Sequence, residues 1–355
     1  MSNYRHAVLL MLLALPATAA AQTRVTSGQR VTSTSQRIEI YDAAGTVTLH
    51  HGGSATEITA TAQGADGSQL QFETDEDGGR MRFRVIFPDV STIASPDGSR
   101  GGTSNLNLRS DGTFGGDQGR RFSRGNDVRI GGNGGFRGYA NIEVTVPDGK
   151  EVVVHVAVGK ADADGVNGNV TLDTWAADAS ATNVSGDWLL DTGSGSATIN
   201  GLRSGSVKLD TGSGNGSATD VSGDLLDIDT GSGGADATNV TVTRFRFDTG
   251  SGDVRATRVH SARGTVDTGS GTVDLAYSDG PIDDLSIDTG SGRVTLGLPQ
   301  NVDARLTIDN NDHDITLDRQ GAIYERRGDD GTVLRFGEGH GRIKIDTGSG
   351  RIAIR

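Results

Sequence analysis

Residues 248–252 read Asp-Thr-Gly-Ser-Gly, and the same five residues begin again at Asp191, Asp210, Asp229, Asp267, Asp288 and Asp346. The first five copies start 19 residues apart, the next step is 21, and the gap from Asp288 to Asp346 is 58, close to three periods. A fixed period of this length predicts a solenoid in which each repeat is one coil stacked on the last. With the Asp as position 0, positions −3 and −1 are apolar: Val207 and Leu209, Leu226 and Ile228, Phe245 and Phe247, Leu285 and Ile287, Ile343 and Ile345. Position −2 is polar or charged in the same copies, as Lys208, Asp227, Arg246, Ser286 and Lys344. That alternation is the pattern of a half-buried strand. It resumes after the glycines at +6 and +8, as Ala197 and Ile199 or Val294 and Leu296. A further apolar residue recurs at +11, as Leu202, Val221, Val240 and Val259. Each coil is therefore expected to hold two strands and a third short one, with glycines supplying positive φ at the corners.

The same ruler finds worn copies at Asp173-Thr174, at Asp309 with Asn310-Asn311 in place of Thr-Gly, and at Gly328 with Leu334 and Phe336 behind it. From Val170 to Arg355 this predicts about ten coils and a rod of roughly 45–50 Å. The fold expected is all-β, a parallel β-helix, with the right-handed winding that the crossover rule favours. Because Ile352–Arg355 stop inside a strand, the final coil is expected to offer an open edge for weak end-to-end association.

Upstream, residues 1–21 carry the marks of a secretory signal: Arg5 and His6, an apolar run from Ala7 to Leu15, and Ala19-Ala20-Ala21 before Gln22. The apolar run is too short to span a bilayer, and no later segment approaches that length. Without cysteine there is no lipid anchor and no disulfide, and stacked coils need none. Residues 22–36 read as a flexible polar leader, and 37–88 as an N-terminal β cap of irregular coils. Residues 89–137, rich in Gly and holding Arg100, Arg109, Arg120, Arg121, Arg124, Arg129 and Arg137, read as a flexible insertion. Residues 138–355 are the repeat solenoid. A net charge of −13 argues against nucleic acid as a partner.

An Ile-Glu-Val-Thr-Val-Pro-Asp-Gly run (Ile142–Gly149), strands, and then repeated Asp-Thr-Gly-Ser-Gly followed by x-Val-x-Leu resemble a bacterial family of adhesin-like β-strand-repeat proteins, domain of unknown function 4097. The resemblance covers roughly Ile38 to Arg355 and is strongest after Asn141. It implies an exported β-solenoid of pectate-lyase-like shape and carries no established activity. An adhesin label drawn from a fold does not fix a function.

Asp-Thr-Gly also opens the aspartic protease motif, but that chemistry needs two carboxylates from two lobes sharing one proton. Copies at a 19-residue period instead stack Asp191, Asp210, Asp229, Asp248, Asp267 and Asp288 in one column, about 4.8 Å apart. Such a column is tolerable if each carboxylate accepts N–H bonds from its own Gly-Ser-Gly turn, or if a bridging cation neutralises neighbours. The turn role is the expected one. The threonines at +1 are expected to form a buried hydroxyl ladder rather than an ice-binding face. For a polysaccharide lyase or hydrolase, the best candidates are His313-Asp314, Asp318-Arg319, Glu325-Arg326-Arg327 and Asp329-Asp330. The seven histidines show no metal-ligand spacing, and Trp188 at −3 belongs to the core. The reading that follows is an exported non-enzymatic module of the bacterial cell envelope without cofactor, binding a surface glycan or protein; the alternative is a carbohydrate-active enzyme on the same scaffold.

Overall fold

In a computed structural model, the described residues are 22–96, 104–115, 125–309, 315–328 and 331–355. The signal-like segment 1–21 lies outside them, as do His313, Asp314, Asp329, Asp330 and Arg100, Arg120, Arg121 and Arg124 of the insertion. Apart from a 3-10 turn at Gly67–Gln69, all regular elements among the described residues are strands. From Arg37 to Thr347 the Asp-bearing strands lie side by side in parallel register, each coil shifted by one repeat against its neighbour.

Each coil has three runs. The first, exemplified by Ser206–Thr211, carries the apolar −3 and −1 residues inward and the Asp outward. The second, exemplified by Ala197–Leu202, turns its +6 and +8 residues inward. Between the second run and the short third one the chain bends at +10, where Asn183, Asp220, Asn239 and Arg258 take φ of 54–58° and Gly201 takes +83°. The third run is paired in parallel as well: Val221 lies against Val240, Ser222 against Thr241 and Gly223 against Val242. The expected third strand is present, and its side is the shortest.

Positive φ falls at +10 and at Gly186 and Gly205 ahead of the first run, not in the pentapeptide, whose glycines serve a different need. A Cβ on Gly214 would overlap the carbonyl of Gly195, one on Gly233 that of Gly214, and one on Gly252 that of Gly233. Coils about 4.8 Å apart bring identical corner residues into backbone contact, and only hydrogen fits between them. The interior also shares its volume across the coil. Phe245 and Phe247, fully buried, face a side whose inward residues are Ala235 and Ala237, and the ring of Phe245 fills the space that a side chain on Gly264 would need.

Both ends of the stack close differently from the expectation. The 22–36 leader is not flexible: Thr23–Val25 pairs antiparallel with Gln71–Asp77, and Arg30–Ser33 with Thr56–Gln63. Its polar Thr/Ser content hid two edge strands anchored by Val25, which is buried. The cap itself grows from Arg37–His51, a full coil in register with Lys150–Asp164. Arg80–Ile86 continues one side in parallel and Tyr139–Val146 the other, after which antiparallel strands finish each sheet. Nor is the 89–137 segment an unstructured loop throughout. Thr92–Ile93, Ser104–Leu108 and Asn126–Ile130 form a separate small sheet whose Ile93, Leu106, Val128 and Ile130 are buried.

At the other end the order of coils in space departs from their order in sequence. Gly341–Thr347 inserts between Asp284–Thr289 and Ala304–Asp309, parallel to both. Ile352–Ile354 likewise lies between Val294–Gly297 and Ile315–Leu317. The Asp346 coil is thus flanked on both sides and offers no open edge, which corrects the expected docking edge at Ile352–Arg355. The Gly328 copy is no coil: Thr332–Phe336 runs antiparallel to Ala304–Asp309 and forms a hairpin with Ile323–Arg326. An apolar alternation records burial of one strand face but not strand direction.

Candidate functional site, a charged ladder on one face

The outward residues at position 0 form one continuous ladder. In spatial order it runs Arg84, Tyr41, His155, Asp173, Asp191, Asp210, Asp229, Asp248, Asp267, Asp288, Asp346, Asp309. The structure brings all six aspartates of the expected column together and extends the column at both ends. His155 closes it, with Nδ1 2.8 Å from Asp173 Oδ2. The imidazole stacks on Tyr41 at 4.5 Å, and Phe114 packs edge-on against Tyr41, His155 and Trp175. A part of the presumed loop, around Phe114, therefore roofs the amino-terminal end of the ladder. The sequence offered no sign of this, because Phe114 stands alone among polar and glycine residues.

The turn does not cap these carboxylates, contrary to the expectation. Gly193 N–H donates to Thr174 O, Gly212 N–H to Thr192 O and Gly231 N–H to Thr211 O, each one coil back. The caps occur instead at +5, where Asp178 Oδ1 accepts from Ser196 N–H at 2.8 Å, Asn215 Oδ1 from Gly234 N–H at 2.9 Å and Asp253 Oδ1 from Thr272 N–H at 2.8 Å. The threonines at +1 do form the buried ladder: all are within 2% of full burial, and Thr192, Thr230 and Thr249 donate to the carbonyls of Gly195, Gly233 and Gly252 at 2.5–2.6 Å.

Neutralisation comes from side chains at −2. Lys208 Nζ lies 2.7 Å from Asp210, and Arg246 bonds Asp248 while reaching Asp227 at 3.4 Å and Asp229 at 3.6 Å. Lys344 lies 3.3 Å from Asp346. Where −2 is not basic the carboxylates feel one another. Partial burial first, then Asp173 and Asp210 on either side, raise Asp191; partial burial, then Asp248 and Asp288, raise Asp267. Among the described residues no cluster of three or more His, Cys, Asp or Glu side chains is arranged to hold a metal ion. The carboxylates stand in single file, so a cation would find bridging pairs rather than a chelating cup.

The described residues of the irregular charged stretch make separate contacts. Glu325 sits between Arg305 at 3.1 Å and Arg335 at 3.0 Å, tying the terminal hairpin to the stack. Arg319 donates to the carbonyls of Leu298, Pro299 and Gln300 and lies over the Phe336 ring at 5.5 Å. Asp318 is exposed, and its N–H bonds Ile354 O at 2.9 Å; Arg326 and Arg327 are exposed on the hairpin. Each histidine among the described residues sits beside one carboxylate: His50 by Glu143, His51 by Asp148, His155 by Asp173, His260 by Asp279, His340 by Asp303.

Three features escaped the sequence reading. Asp42 is fully buried at the +1 level of the Arg37–His51 coil; burial pushes its carboxyl well up, and only Ala44 N–H, at 3.1 Å, bonds it. Arg84 is buried against Asp75 at 2.7 Å. A groove of about 330 Å³ crosses the ladder face beside Trp188, where outward Leu189 and Leu225 stand beside Asp187 and Lys208. Trp188 itself is core, as expected.

The family model described as Toastrack DUF4097 matches residues 123–355. No curated protein matches the chain. Among solved structures, one described as a "putative cell adhesion protein" from Clostridium sporogenes aligns over 95% of this chain and 98% of its own, at 10% identity and a TM-score of 0.20. No helix among the described residues is long and apolar enough to cross a membrane.

Proposed function

We propose, from the premise that this chain belongs to the Toastrack family DUF4097, that it is an exported, non-enzymatic binding or structural module of the bacterial cell envelope. The observation that carries this reading is the ladder face. Asp173 through Asp309 repeat one charged group per coil on a continuous parallel sheet, with Lys208, Arg246 and Lys344 set between them. A periodic face of this kind presents many equivalent weak contacts, which sum through avidity on a repeating partner such as a surface glycan or an envelope protein. Catalysis needs the opposite, a few side chains whose environments drive their pKa values apart at one point. The signal-like residues 1–21 support export, and periplasm, outer surface and medium are the compartments open to it. We read the parallel coils as a right-handed β-helix of pectate-lyase-like form, the hand being the one the crossover rule favours.

Protease shaving of intact producing cells tests this placement, read by immunoblot. Trypsin cleavage of the protein on intact cells is expected for a surface adhesin. Protection until the envelope is broken would turn the reading to a periplasmic scaffold. Retention in the cytosolic fraction with residues 1–21 uncleaved would overturn it.

A further inference from the structure

We infer that the coil Gly341–Ile354 is exchangeable between two copies of this chain, so that one molecule's slot is filled by the same segment of a second molecule. The slot is a consequence of topology. The Asp288 and Asp309 coils follow one another in sequence but lie two coil spacings apart, roughly 10 Å, with the Asp346 coil between them. What holds the inserted segment is local to it. Ile343, Ile345, Ile352 and Ile354 are buried, Thr347 lies in the buried threonine ladder, and Gly348 and Gly350 nest over the carbonyls of Gly290 and Gly292. Arg342 makes a bidentate pair with Asp284, at 3.1 and 2.9 Å. None of these contacts requires the segment to belong to the chain that offers the slot.

The covalent tie is short and rich in glycine. Gly337 and Gly339 take φ of +60° and +81°, and Asp303 Oδ1 and Oδ2 hold Gly339 N–H and the His340 ring, both at 2.6 Å. Straightening this turn redirects the segment outward, and the contacts it leaves in its own slot are remade in the same slot of the second copy. Reciprocal exchange is isologous and closes as a two-fold dimer, with the same ladders in both halves.

The chain holds no cysteine, so engineered pairs report cleanly. Thr295 and Ala353 are Cα partners on neighbouring parallel strands, within disulfide reach. The full-length double variant T295C/A353C is expected to close an internal disulfide and remain monomeric. Mixing full-length T295C with full-length A353C at high concentration, followed by oxidation, is expected to give a covalent heterodimer several-fold above an S217C plus A353C control. Replacing Asp303 by Asn in both partners is expected to raise that yield. A mixture that gives no more dimer than the control, while the double variant closes internally, overturns exchange. A double variant that does not close overturns the slot itself.

Discussion

Gly214 has no side chain because the carbonyl of Gly195 occupies the place where one would project. The repeat is thus written by stacking, each corner shaped by the identical corner one coil back. Gly214→Ala is expected to cost about 2–3 kcal/mol by forcing two coils apart. Gly134→Ala, where no atom lies within contact of the added methyl, should be close to neutral. Thermal melts of the two variants check this, and equal melting temperatures would remove the nesting argument. The aspartates allow a second test at this scale. Asp191 and Asp267 are raised by partial burial and by like-charged neighbours, so their ionised forms oppose folding. A raised folded-state pKa means stability that is present at low pH and lost as pH rises through that value. Asp191→Asn and Asp267→Asn should therefore raise the melting temperature slightly at pH 7, with the gain shrinking toward pH 4. The effect is small because solvent screens these exposed groups. Asp248→Asn, which gives up its Arg246 partner, should show no such gain. Melting curves of the three variants across that pH range decide the point.

At the scale of the element, strand alternation was legible wherever the inward residues were large. Within the expected 37–88 cap, Ile38 and Ile40 alternate in Arg37–His51, and Met81, Phe83 and Val85 in Arg80–Ile86. Strands in polar or glycine-rich surroundings were missed: Thr23–Val25 and Arg30–Ser33 each lack an apolar pair, and Asn126–Ile130 carries Val128 and Ile130 but stands alone between glycine-rich stretches. Direction was illegible too. Thr332–Phe336 carries the apolar spacing of a coil strand yet runs antiparallel, because it caps the stack through a hairpin. The Asp ladder could be read as a column from period alone. Its closure by His155 beneath Phe114 could not, since Phe114 comes from a segment without period.

For the whole molecule, the consequence of stacking is that each coil leans only on its neighbours, so stability is distributed along the rod. Trp175 and Trp188 are the two tryptophans and both lie in the early coils, so their fluorescence reports on that end. Ile345→Asp places a charge in the buried interior of the inserted coil and is expected to cost more than about 4 kcal/mol there. In a guanidinium titration the far-ultraviolet circular dichroism transition should then begin earlier, while the tryptophan transition holds its midpoint. Coincident shifts of both would show that the stack unfolds as one cooperative unit.

The seven Asp-Thr-Gly-Ser-Gly copies determined by themselves that this chain stacks coils, which residues face inward, and that aspartates line one outer face. They could do so because a period and an alternation are local properties, repeated often enough to be read without contacts. Only the tertiary structure decided the order of the final coils, the corner glycines' reason for being, and what closes each end. Those features rest on which backbone lies against which. The 58-residue gap between Asp288 and Asp346 admits two further coils laid in sequence as readily as a coil returning to fill a slot. Contact with both flanking ladders distinguishes the two arrangements.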